Sequence, residues 1–279
     1  MHLSTVISSI IDKTNQVLQG YSLGNVYKML IYSAAYAAVK KKEMDTRILK
    51  PLEKKIPTHL MYQAQRLLSP LFSKTINELD KTLESSKPVS LNEANIKNIV
   101  EEVKNKFNSA EYVMVYDCMS LIEFILIAAS LKLNHIESII PDIVFINPIG
   151  LTRFVTHQLP NLDHRAVLRE FAHILAKELG AHGYYKSAYI DLKVHEYGSL
   201  GIEEYIARID IERIIHEVSG KASTNPILVT ADHGYDVIYD TDENYVYVTH
   251  GFKEPLKEKH IPLLLLSRFS FFLKAFPER

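Results

Sequence analysis

From Glu111 onward, short apolar runs rich in β-branched and aromatic residues alternate with stretches of helical periodicity, and no other feature of the chain restricts its fold as tightly. The runs are YVMVYD (112–117), DIVFINP (142–148), SAYIDL (187–192), PILVTAD (226–232) and IPLLLL (261–266). Between them lie the helical stretches Leu121–Leu133, Ala166–Leu179 and Ile202–Val218. Strands that are apolar throughout are covered on both faces, and the intervening helices supply that cover. The pattern predicts an α/β domain over residues 109–279 with a doubly wound, mostly parallel sheet. YDVIYDTDENYVYVTHG (235–251) adds a hairpin, two tyrosine-rich strands about a polar turn.

Residues 1–108 read as a separate helical N-terminal domain. Ser4 caps a stretch carrying Val6, Ile7, Ile10, Ile11, Val17 and Leu18 and closed by Gly20. NVYKMLIYSAAYAAVKKK (25–42) follows, ending on a basic turn that suits a helix C-terminus. A third helix runs from His59 towards Leu83, with Pro70 expected to break or kink it. After the linker SSKPVS (85–90), Ser90 and Glu93 form a capping box ahead of Ile96, Ile99, Val100 and Val103.

Composition narrows the partners. A net charge of -1 gives no general attraction for nucleic acid or an anionic membrane. The single cysteine, Cys118, excludes an intrachain disulfide framework and fits a reducing compartment. Asp12, Lys13 and Asn15 interrupt the first apolar stretch as a secretory signal would not be interrupted, and Arg268 and Lys274 break the apolar stretch Ile261–Phe276. The expectation is a soluble, cytoplasmic protein.

In a doubly wound sheet, ligands bind beyond the carboxyl ends of the strands, and here those ends carry the chemistry. The first ends at Tyr116-Asp117 and the second leads into NPIGLTRF (147–154), which holds Thr152. The third ends at Asp191 with His195 four residues on, the fourth at Asp232-His233, and the hairpin's return strand at His250-Gly251. A parallel sheet sets the first four ends on one edge, and the hairpin returns His250 to it. Carboxylates mixed with neutral imidazoles are ligands for Zn²⁺ or Mn²⁺. Six of them exceed one tetrahedral zinc, whereas three per metal leave open positions for catalysis.

These segments carry a resemblance. VTADHG resembles the Thr/Ser-x-Asp-His-Gly signature of the alkaline phosphatase superfamily, and IDLKVHEYG its Asp-x-x-x-His-x-x-Gly segment. VYDCMS is similar to the first-strand Asp segment, IGLTRF to the nucleophile segment and THG to the last metal histidine, all in the family's order. With 38 residues between Thr152 and Asp191, the core lacks room for the inserted domain of cofactor-independent phosphoglycerate mutases. It most resembles PglZ domains, found in bacterial and archaeal proteins including phage-defence systems.

The resemblance implies a phosphomonoesterase or phosphodiesterase with two divalent metals, zinc or manganese. One would be held by Asp191, His195 and His250, the other by Asp117, Asp232 and His233. Thr152 would be the nucleophile. Beside it, the planar fork of Arg153 suits a substrate phosphate oxygen and equally an ordinary surface position, and Asn147 is a similar candidate. The expected substrate is a phosphorylated small molecule or a nucleotide, with the N-terminal helices free to shape the pocket or dock a protein partner. Sulfate esters are disfavoured, because no Cys/Ser-x-Pro-x-Arg segment occurs.

Alternatives stand beside this reading. Thr152 also suits a helix cap, and Thr156 and Ser120 are rival hydroxyls. Cys118 reads as a small buried hydrophobe. The whole chain could instead be a catalytically degenerate interaction module of a defence or regulatory system.

Overall fold

Helix α1 (Leu3–Leu18) forms because Val6, Ile7, Ile10, Ile11, Val17 and Leu18 recur at helical spacing and all are buried. The computed structural model describes residues 3–85, 96–107, 109–140, 144–147, 149–152, 154, 164–251 and 258–277, with backbone alone at 96–100, 102 and 164–167. Ser22 caps α2 (Leu23–Lys41) by accepting the Asn25 N–H, and most of α2 is buried. A short helix, α3 (Lys50–Glu53), leads to α4 (Thr58–Gln63). The predicted disturbance at Pro70 takes the form of a π-helical turn, Ala64–Leu68, before α5 (Ser69–Ser85). Proline cannot donate to the carbonyl one turn back, and the widened turn, with the Ser69 hydroxyl donating to Ala64 O (3.1 Å), absorbs the mismatch. Helix α6 spans Ile96–Phe107. The linker from residue 86 and the Ser90/Glu93 box lie outside the described residues.

The rest of the chain is mixed α/β with a mostly parallel central sheet. Its strands are β1 (Tyr112–Tyr116), β2 (Glu137–Ile139), β3 (Val144–Ile146), β4 (Gly183–Ser187), β5 (Ile227–Ala231) and β9 (Phe269–Phe276), in the order β2-β9-β5-β1-β4 with β3 also on β9. The hairpin strands β6 (Asp236–Asp240) and β7 (Tyr245–Thr249) join β8 (His260–Leu265) in a second, antiparallel sheet of order β7-β6-β8. The remaining helices are α7 (Leu121–Leu133), α8 (His164–Glu178), α9 (Tyr189–Tyr197), α10 (Ile202–Arg208) and α11 (Ile211–Ala222).

Strand alternation divides the core between two faces. On β1, Val113 and Val115 face the side covered by α6 and α8, whereas Met114 and Tyr116 join the larger core on the other side. That larger core runs without a break from α1 and α2 through α7 to the sheet. Helix α7 is apolar almost all round and is buried from Leu121 to Leu131. A helix of that kind must be covered on every side. Here α1 and α2 lie against it as well as β9. The helical layer and the sheet therefore share one core. Among the described residues no helix is long and apolar enough to cross a membrane.

Two sequence expectations need correction. SAYIDL is not a strand: β4 ends at Ser187, and Tyr189 to Tyr197 is helical. Tyr and Ile read as strand formers, but Asp191 in the first turn and His195 in the last both favour a helix there. IPLLLL belongs to the second sheet, where β8 is an edge strand and Pro262 sits at the register shift beside Ile238. The C-terminal run past it is β9, the antiparallel strand of the main sheet, inserted between β5 and β2.

Candidate metal centre

The register of β1 places Tyr116 beside Ala231 on one flank and Ser187 on the other, so three parallel strands end together. Asp117 follows directly, its N–H donating to Ser187 O (2.8 Å). Asp232 and His233 leave β5 at the same level. The hairpin register pairs Asp236 with Thr249, which carries His250 back to the loop after β5. Asp191 and His195 come from α9, four residues apart and so on one helix face.

Two glycines are fixed by close approach. A Cβ on Gly234 would stand 2.7 Å from Leu266 O and 3.2 Å from Ser120 Cα. Gly251 has φ +60°, and a Cβ there would overlap the Leu151 side chain. The loops bearing His233, His250 and Thr152 are thus held against their neighbours. Cys118, directly after Asp117, adopts φ +64°, a conformation unusual for a side chain of its kind. As expected it is buried, and its thiol donates to Gly234 O (3.4 Å).

All six predicted ligands and Thr152 converge. In one group His250 Nε2 lies 3.0 Å and His195 Nε2 3.4 Å from Asp191 Oδ1, with 3.1 Å between the two nitrogens. In the other, His233 Nε2 is 3.2 Å from Asp117 Oδ1, 3.7 Å from Asp232 Oδ2 and 3.3 Å from Thr152 Oγ1. The Thr152 hydroxyl is 3.4 Å from Asp117 Oδ1. The His233 and His250 rings stack at 4.8 Å between centroids, so the groups adjoin.

These spacings suit a cation. With metal–ligand bonds of about 2.0–2.1 Å, the ligand atoms of a tetrahedral shell lie roughly 3.3 Å apart. The polar accounting agrees. Asp232 is wholly buried, and neither of its oxygens makes a well-formed hydrogen bond to a described residue, although the Thr152 hydroxyl and the His233 ring lie towards it. His250 Nδ1 is likewise buried and has no hydrogen-bond partner among the described residues. Burying charge without partners is expensive, and a bound cation removes that expense.

The titration of these groups reflects the same field. Burial and the neighbouring Asp117 push the Asp232 carboxyl up to about 7. Burial alone would lower His233, but Asp232 and Asp117 outweigh it and hold the imidazole at about 10. Burial tends to raise Asp191, yet the hydrogen bond from His250 and the surrounding imidazoles leave it below the usual carboxylate range. His233 Nδ1–H donates to Gly234 O (2.9 Å), which orients the ring and turns Nε2 towards the carboxylates. The His195 side chain is 63 % exposed and Asp191 19 %, against 0 % for Asp232, so the centre opens on the His195 side.

The other predicted residues fare differently. Asn147 is buried, with its amide donating to Leu151 O (2.8 Å) and Asp232 O (3.1 Å) and its carbonyl facing the N–H groups of Ile149 and Leu151. It pins the Thr152 turn to Asp232. Arg153 and Thr156 lie outside the described residues. Ser120 is the N-cap of α7 in a full capping box with Glu123. That Ser-x-x-Glu signal was present in the sequence, and it marks a buried acid, Glu123, that the strand-end reading passed over.

Such an arrangement can bind one or two divalent cations, present an acidified hydroxyl and receive an anionic substrate from the His195 side. Neither a protein-family model nor a curated protein matches the chain.

Proposed function

We propose that the protein is a metal-dependent phosphoester hydrolase of alkaline-phosphatase-like, PglZ-like architecture, with two divalent cations and Thr152 as nucleophile. One observation supports it above the others: seven residues from five separate segments meet at one sheet edge with spacings near those of a ligand shell. Asp191, His195 and His250 would hold one cation, and Asp117, Asp232 and His233 the other. When bound, the two cations would neutralise the carboxylates and stabilise the charge on the entering and leaving oxygens of a phosphoryl group.

The chain's own groups do the rest. Thr152 stands over the inner group, its hydroxyl within reach of Asp117 and His233. Its hydroxyl gives up its proton to solvent, its oxygen attacks phosphorus in line, and the ester oxygen departs on the opposite side, taking a proton from water, so that the phosphoryl group is left on Thr152. Water then cleaves that bond, restores the hydroxyl, and releases phosphate from a monoester or a phosphomonoester from a diester. Phosphoryl transfer asks a protein mainly for positioning and charge stabilisation. Asn147 positions the Thr152 turn, while α9 places Asp191 and His195 where the substrate enters.

The test is hydrolysis of p-nitrophenyl phosphate and bis-p-nitrophenyl phosphate by protein reconstituted with Zn²⁺ or Mn²⁺. Release of nitrophenolate that stops on chelation is the expected result. Protein that binds both metals yet turns over neither ester, nor a dinucleotide, would refute the hydrolase reading.

A further inference from the structure

Behind the metal centre lies a buried acid whose partners are all hydroxyls or N–H groups. Glu123, 0 % exposed, accepts from Tyr27 OH (2.6 Å) and Tyr235 OH (2.7 Å) on Oε1. On Oε2 it accepts from the Ser120 N–H (3.0 Å) and the Ser120 hydroxyl (2.7 Å). Tyr205 OH lies 3.5 Å from Tyr27 OH. No cation pairs with Glu123 among the described residues, so hydrogen bonds satisfy it, these four together with its own backbone N–H. Tyr27, Tyr205 and Tyr235 are each no more than 1 % exposed.

The chain positions of the partners give the network its meaning. Ser120 ends the turn that begins at Asp117, and Tyr235 stands two residues after His233. Both metal-bearing turns are therefore tied to one carboxylate. Neither lies within a helix or strand: one backbone bond holds each to a neighbouring segment, Asp117 N–H to Ser187 O and Gly234 N–H to Ser267 O, and Glu123 ties the two turns to each other. Tyr27 alone comes from elsewhere: it is on α2, in the N-terminal layer.

We infer that Tyr27 is a positioning residue for the metal centre, its hydroxyl holding the Asp117 and Asp232–His233 turns in register through Glu123. The inference rests on the proposed function, and it gives the N-terminal layer a part in the site. Removing the hydroxyl leaves Glu123 Oε1 with one donor and slackens both turns. Outer groups that orient metal ligands commonly change metal affinity by about 10–100-fold.

The experiment is a competition titration of Zn²⁺ against a chromophoric chelator, run on the full chain. Tyr27→Phe should weaken zinc binding about tenfold or more while the far-UV circular dichroism stays that of the wild type. Tyr32→Phe is the control. Its side chain is also buried on the same helix, but its hydroxyl is engaged by Glu53 (3.1 Å) and Gln65 (2.7 Å), away from the site. It should bind zinc within about twofold of the wild type, a purely structural loss having no route to the ligands. Wild-type affinity in Tyr27→Phe, or equal weakening in both variants, would overturn the inference and leave the proposed function standing. A wild-type chain that takes up neither Zn²⁺ nor Mn²⁺ would instead sink the proposed function, and this inference with it. Should Tyr27→Phe not purify folded, Tyr235→Phe, which lacks the other hydroxyl on Oε1, decides by the same titration.

Discussion

Thr152 and Asp232 stand side by side, and the proposed function gives them different work that substitution should separate. Thr152→Ala removes the proposed nucleophile and leaves three carboxylates and three imidazoles in place. It should lower turnover by about 10³-fold or more while bound metal, measured by elemental analysis, stays near the wild-type amount. Normal turnover in Thr152→Ala would mean that another hydroxyl attacks. These residues were legible in the sequence for a physical reason. A strand covered on both faces must be apolar, so polar residues clustered at its end stand out. Glu123 showed only as the last residue of its Ser-x-x-Glu capping signal, and Tyr27 was not legible at all, because a hydroxyl 96 positions away from its acceptor leaves no local pattern. Asp236 belongs with them. It is buried against the Ser267 N–H (2.8 Å) and hydroxyl (2.8 Å), and burial pushes its carboxyl up to about 6. An acid raised on folding holds its proton longer in the folded state, so stability is lost as pH rises from the unfolded value near 4 towards 6. The loss should be about 3 kcal/mol at most. Urea unfolding with chelator present, from pH 4 to 7, should show a loss of stability that is larger in the wild type than in Asp236→Asn by about this amount, because Asp232, also raised by burial, contributes equally to both. Parallel curves for the two proteins would contradict it.

At the scale of elements, α9 shows how a wrong assignment can leave a site intact. The sequence reading made SAYIDL a strand, yet the four-residue spacing of Asp191 and His195 already implied one helical face. The hairpin was readable from its turn, and its register brings His250 to the centre. Strand β9 was not readable, since β8 and β9 form one nearly continuous apolar stretch and periodicity cannot say where it folds back. Helix α9 also yields a prediction. His195 is largely exposed, so His195→Ala should cost little stability, within about 0.5 kcal/mol with chelator present. It should lower metal content by up to one ion per chain, because only the outer group loses a ligand. Unchanged metal content together with unchanged activity would remove His195 from the centre.

For the molecule as a whole, the continuous core decides how it unfolds. Helix α7 is enclosed by α1, α2 and the sheet, and Tyr27 reaches Glu123 across that boundary. The sequence divided the chain near residue 108, on a change of composition that carries no information about shared burial. Calorimetry should therefore show one cooperative transition; two separate transitions, one per segment, would contradict a shared core. The central claim is that the sheet edge is a metal centre, and zinc stoichiometry tests it most directly. After reconstitution and removal of loosely held ions, the wild type should retain two Zn²⁺ per chain and Asp232→Asn at most one. A correctly folded wild type that retains none, with Zn²⁺ or with Mn²⁺, would contradict the account.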